Sequence, residues 1–180
     1  TRSESIQYID SLIKIVISPE LRRYDADRWG EDPLETLDGD VSHISYLSHL
    51  AWMTSGYKAV GGDGKYDKLY DDLCETMNRR ILLSQNLNLQ TYPGEYIYVP
   101  DMLVAIVALS NYAKQHNGKY LTTVHNWLYE MQNMALDIDS IFLMQPETGF
   151  SDVKISFWEK LVFMFQRLWA SFFTDESMEV

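Results

Sequence analysis

Glu95 follows a Pro93-Gly94 turn and is bracketed by Tyr92, Tyr96 and Tyr98, with Asp101 directly after Val99-Pro100. A carboxyl group held beside aromatic rings suits proton donation or abstraction, and Glu95 is the first candidate for a general acid or base. A second carboxylate comes from Asp40 or from Asp101, and a pair of this kind serves glycosidic bond cleavage or elimination. Tyrosine and tryptophan rings offer flat apolar faces with a polar edge, which matches sugars with their C–H faces and hydroxyl groups. Trp29, Tyr46, Tyr92, Tyr96 and Tyr98 are therefore candidates for the wall of a ligand site, and His43, one helical turn before Tyr46, joins them.

Each candidate also has a structural reading. Asp40 suits a helix cap and Asp101 the first turn of a helix, where a negative charge meets the positive end of the helix dipole. His43 suits a packed or capping histidine, and the three tyrosines suit the packing of their own loop. Other chemistries find less footing. Gly61-Gly62-Asp63-Gly64-Lys65 lacks the spacing and the following Ser or Thr of a phosphate-cradling loop and reads as a hairpin turn. The four histidines, His43, His49, His116 and His125, are scattered, so neither a metal nor another cofactor is expected. Cys74 lies on an apolar stripe and reads as a buried structural thiol.

Hydrophobic periodicity supplies the elements that must position these residues, and it predicts an all-α chain of six helices. The segments cover about 4–17, 42–60, 66–81, 100–115, 120–135 and 153–173. Ser18-Pro19 is expected to stop the first, and Gly61 to Gly64 and Asn117-Gly118 break the chain later. The second, fourth and sixth segments are apolar on most sides, whereas the first, third and fifth carry one apolar stripe. An inner layer covered by an outer one follows from that alternation. Gly64-Lys65-Tyr66 recurs 54 residues on as Gly118-Lys119-Tyr120, each time between an inner and an outer helix, which fits αα-hairpin repeats.

Links from inner to outer helices are short, and the others, 18–41, 84–99 and 137–152, are long. All three long links are then expected over the N-termini of the inner helices, a common position for function. The same termini present unpaired N–H groups that favour polar or anionic ligands.

Whole-chain properties bound the partners. With 180 residues, 46% hydrophobic, the chain is expected to be a single helical-hairpin domain over 1–180. Fifteen basic against 26 acidic residues give a net charge of −11, which repels a nucleic-acid backbone. The most apolar stretch, 157–173, contains Glu159, Lys160, Gln166 and Arg167, so a membrane span is not expected there. Its seven aromatic residues exceed what one stripe needs and point to self-association or to a partner chain. A non-catalytic helical-repeat module that binds a protein through this helix is the alternative to a small-molecule site. The compartment stays open, because one cysteine makes no internal disulfide and Thr1 stands where a start methionine would be.

Several of these residues fall together in a pattern. Trp29-Gly30, Asp32-Pro33-Leu34, His43-Ile44-Ser45-Tyr46-Leu47, Gly62-Asp63-Gly64-Lys65-Tyr66-Asp67, Thr91-Tyr92-Pro93-Gly94-Glu95 and Pro100-Asp101 resemble the linalool dehydratase/isomerase-like proteins. More broadly the pattern is similar to the α/α-toroid group, which includes many glycan-processing enzymes. The resemblance covers about residues 24–125 and implies a ring of αα-hairpins whose inner helices open into a funnel. It carries over Glu95 as the acidic residue, with Tyr46 and His43. Where the dehydratase has cysteines, this chain has Gly94 and Val99-Pro100. A closed toroid of this group has about six hairpins, so three hairpins imply a partial or half toroid, a fragment, or one part of an assembly.

Overall fold

The computed structural model describes residues 1–143, with side chains to residue 133. They belong mainly to a unit spanning Thr1–Met134; of the second unit, Ala135–Val180, only helix as far as Leu143 is described. Among the described residues the fold is all-α, without a strand. The aromatic segment 157–173, and with it the expected association surface, lies outside the described residues.

Helix α1, Arg2–Val16, opens with a capping box between Thr1 and Glu4 and buries Ile13. Helix α3, Ile44–Ala59, is buried over most of its surface, through Ile44, Leu47, Leu50, Ala51 and Tyr57 together with Ser48, Thr54 and Ser55, while His49 and Trp52 reach solvent. Its polar members are accommodated locally, as when the Thr54 hydroxyl donates to the Leu50 and Ala51 carbonyls at 3.0 and 2.9 Å. Helix α4, Asp67–Leu83, buries one stripe through Tyr70, Leu73, Cys74, Met77 and Ile81. After a short 3-10 turn, Gln85–Leu87, helix α5 runs over Val99–Gln115 with Pro100 in its first turn. Helix α6, Leu121–Leu143, completes the described chain.

The most extensive packing in the unit joins α3 to α5; α4 touches both, and α1 lies against α3. Both central helices carry small buried residues, Ser48, Ala51 and Ser55 on one and Ala105, Ala108 and Ala113 on the other, which suits close approach of two backbones. They run in the same direction. At one end the Ser45 N–H donates to the Thr91 carbonyl ahead of α5, and towards the other end the Asn111 amide donates to the Ser55 hydroxyl at 3.3 Å. Thr123 and Trp127 tie α6 to α4 and to the loop after it, through Asn78 and Asn88.

Both Gly-Lys-Tyr turns are built from the same kinds of contact. Gly64 and Gly118 have φ of 82° and 81°, the left-handed region that favours glycine. The Lys65 ammonium lies 5.6 and 5.1 Å from the rings of Tyr57 and Tyr66, and the Lys119 ammonium 5.7 and 4.7 Å from those of Tyr112 and Tyr120. In the first turn the Tyr66 hydroxyl donates to Asp10 of α1. A side chain on Gly62 would run into the Tyr57 ring, its Cβ only 2.1 Å from Cε1.

Two expectations about the long links need correction. The first link, 18–41, holds a helix, α2, Pro19–Trp29. Ser18-Pro19 does end α1, but the Ser18 hydroxyl also accepts from the Leu21 N–H at 3.3 Å and Pro19 sits in the first turn, so the pair starts the next helix as well. Helix α2 was invisible to periodicity because Glu20, Arg22, Arg23, Asp25, Asp27 and Arg28 leave it no apolar stripe. The third link does not begin at 137, since α6 continues to Leu143.

Candidate functional site

Trp29 is the last residue of α2, where Gly30 in the left-handed conformation, φ 82°, ends the helix and donates to the Ala26 carbonyl at 2.9 Å. The indole lies flat on the ring of Tyr92, with centroids 4.0 Å apart and planes 6° from parallel. Tyr24, one helical turn and a residue earlier, meets Trp29 edge-on at 6.1 Å. His43, at the N-terminus of α3, stands edge-on to both members of the stack, at 6.4 Å from Trp29 and 6.1 Å from Tyr92. Residues from the first and second long links thus meet at the start of α3.

Hydrogen bonds tie the start of α3 to the second link and close that link on itself. The Ser42 hydroxyl donates to the Gln90 carbonyl, the Ser45 N–H to the Thr91 carbonyl, and the Thr91 N–H to the Tyr96 carbonyl at 3.1 Å. The turn between them places Gly94 at φ 76°, with the Gly94 N–H on the Gln90 side chain and the Glu95 N–H on the Tyr92 carbonyl.

On the other side, segment 30–41 is laid along α4. Arg80 donates from Nε to the Gly39 carbonyl at 3.0 Å and from Nη2 to the Thr36 carbonyl at 2.6 Å. Arg79 reaches the Leu37 and Gly39 carbonyls and pairs with Asp40. Asp32 closes the segment on itself and on α2: it pairs with Arg22 and accepts the Leu34 N–H at 2.9 Å. Burial alone would raise its pKa, but the Arg22 guanidinium and the Leu34 N–H outweigh that and hold it below the usual carboxylate range.

Four buried polar atoms in this region have no hydrogen-bond partner among the described residues: both ring nitrogens of His43, Nη1 of Arg80 and Oγ1 of Thr91. His43 is fully buried and Arg80 only 2% exposed. Burial pushes the His43 pKa down to about 4; the Arg80 charge adds to this and Asp32 opposes it. Arg80 itself is pushed down to about 10, by burial and then by Arg79, against the pull of Glu31, Asp40 and Asp38. Asp25 on α2 is nearly buried, and burial followed by the charge of Asp32 raises its pKa.

The other sequence candidates are placed as follows. The hydroxyl of Tyr46 donates to the Val16 carbonyl of α1 at 2.8 Å, and burial raises its pKa strongly. Asp40 is well exposed and its carboxylate is taken by Arg79; it does not cap α3, whose capping position is His43. Asp101 lies in the first turn of α5, its N–H on the Tyr98 carbonyl. Glu95 is half-buried in the turn after Tyr92, while Tyr96 and Tyr98 are turned to solvent. Trp29, His43 and Tyr92 are therefore brought into one cluster, with Glu95 three residues along the chain from it.

Arg80 and Thr91 were missed in the sequence. Arg80 had a visible signal: it interrupts the apolar series Leu73, Met77, Ile81 on the buried side of α4. Cys74 is buried with its thiol pKa raised by burial, as a structural cysteine requires. Among the described residues no group of three or more His, Cys, Asp or Glu could hold a metal ion, and no helix is long and apolar enough to cross a membrane. Compared with protein-family models, with curated proteins and with solved structures, the chain matches none.

Proposed function

We propose that this chain binds a small polar molecule of the carbohydrate class on the loop face at the N-termini of α3 and α5, in a partial α/α-toroid whose inner helices these two are. One observation carries the reading: Trp29 and Tyr92, from two separate links, stack on each other beside a buried His43 whose ring nitrogens have no partner among the described residues. Buried polar groups are nearly always hydrogen-bonded, and unpaired ones in a native structure mark sites of ligand, water or chemistry. The common direction of α3 and α5 and the similar contacts in the two Gly-Lys-Tyr turns support the hairpin-repeat arrangement.

Carboxylate-dependent glycan processing or hydro-lyase chemistry is the catalytic form of the same reading. Glu95 would transfer the proton, and Asp101 is better suited than Asp40 as the second carboxylate, because Asp40 is exposed and occupied by Arg79. Thermal-shift measurement over neutral sugars, polyols and terpenoid alcohols tests the binding claim, since a ligand of the native state raises the melting temperature whatever the chemistry. The expected result is a shift in the natural protein that is lost in both Trp29→Ala and Tyr92→Ala. Equal shifts in all three proteins would put the ligand elsewhere.

A further inference from the structure

Arg80 is a guanidinium inside the protein without an ion pair among the described residues. Its Nε and Nη2 are spent on the Gly39 and Thr36 carbonyls, and Nη1 is left over. Acidic residues lie nearby, but Asp40 is engaged by Arg79, and neither Glu31 nor Asp38 forms an ion pair with Arg80. Buried charges are ordinarily paired, because an uncompensated one loses its hydration without return. The remaining unpaired atoms are on His43, within residues 39–45, and on Thr91, whose carbonyl accepts from the Ser45 N–H of that stretch. Gly39 carries Arg80, Ser42 is bonded to Gln90, and Ser45 is bonded to Thr91, so residues 39–45 bring Arg80, His43 and Thr91 to one end of α3.

Those three side chains define a ligand group. Arg80 Nη1 can only donate, the Thr91 hydroxyl can donate, and an unprotonated imidazole keeps one N–H to give. A group that accepts from all of them and carries the missing negative charge is a carboxylate, to which Nη1 can give a charge-assisted hydrogen bond. We propose that Arg80, His43 and Thr91 bind a carboxylate on the ligand, so that the molecule taken by this site is an acidic sugar or a comparable hydroxy acid. This rests on the binding reading above and narrows its ligand class.

The test uses the full chain at pH 7 and constant ionic strength, with D-glucuronate, its methyl ester, D-glucose and chloride as probes. Binding is followed by the melting temperature and by the His43 imidazole resonance. The expected result is that glucuronate raises the melting temperature and moves the His43 resonance, with an affinity at least about tenfold above the ester and glucose, while chloride does neither. Thr91→Val, which keeps the side-chain shape, should weaken glucuronate several-fold and glucose less, so that the ratio of the two affinities falls. Arg80→Lys should weaken glucuronate further; if that variant does not fold, Thr91→Val alone carries the comparison. Equal affinity for glucuronate and glucose overturns the carboxylate assignment and leaves the binding reading standing. The same response to chloride overturns it too, as a non-specific anion effect. No response of His43 or of the melting temperature to any probe overturns both.

Discussion

At the scale of single residues, the burial of His43 sets a pH dependence whose sign is fixed. Burial pushes its pKa down to about 4 in the folded protein against the ordinary histidine value of 6.5, so between these limits the unfolded chain binds the extra proton. Stability should therefore fall as the pH is lowered from about 6.5 towards 4, by up to about 3 kcal/mol from this group. Asp25, raised by burial, works in the opposite sense above the ordinary carboxylate range, because its folded form holds a proton the unfolded form has lost. Chemical denaturation at a series of pH values should show the His43 slope in the natural protein and lose it in His43→Gln. The Trp29–Tyr92 stack makes a second prediction: a double-mutant cycle with Trp29→Ala and Tyr92→Ala should give a coupling of about 1 kcal/mol. Additive effects would mean that the rings do not stack in solution. Much of this cluster was legible in the sequence, since Trp29, His43 and Tyr92 stood out as an aromatic, ligand-suited set. The role of Arg80 was not, because a charged residue on a helix reads as solvated until its neighbours across the fold are known.

At the scale of elements, α2 depends on its ends more than on its body. Ser18 caps it, Pro19 presets its first turn, and Gly30 closes it in the left-handed region. Ser18→Ala should cost about 1 kcal/mol, and Gly30→Ala a similar amount, since alanine is strained at that φ although there is space for its Cβ. Amide exchange in residues 19–29 should accelerate in either variant before exchange elsewhere changes. Periodicity reads a helix by the face it buries, so α1, α3, α4 and α5 were recognisable and α2, polar on most sides, was taken for part of a link. The same blindness affects ends: nothing in the apolar pattern distinguished a helix stop at Ser18-Pro19 from a helix stop followed at once by a helix start.

At the scale of the whole molecule, the unit Thr1–Met134 is organised around α3. Its residues Leu47, Leu50 and Ala51 are no more than 1% exposed, and helices α1, α4 and α5 all pack on it. Leu50→Ala should cost about 3 kcal/mol through lost burial and the cavity left behind, against a few tenths for the exposed Ile15→Ala. Native-state exchange should find the slowest amides in α3 and α5 and faster ones in α2. The all-α class was readable from the helical spacing of the apolar residues, as was the heavy burial of α3 and α5 from the number of their apolar sides. How the links lie over them was readable only in outline, because it depends on hydrogen bonds such as Ser45 to Thr91 and Arg80 to Thr36 that join residues far apart in the chain.

If this chain holds a ligand, the loop face at the start of α3 is where it should sit. The most direct measurement is a set of NMR titrations that follow the indole N–H of Trp29 and the imidazole of His43 as a binding sugar is added. Trp127, buried with its indole on Asn88, and Trp52, exposed midway along α3, serve as internal references. Shifts at Trp29 and His43 that saturate together, while Trp127 and Trp52 stay still, are the expected result. Saturable shifts at either reference with none at Trp29 and His43 would contradict it.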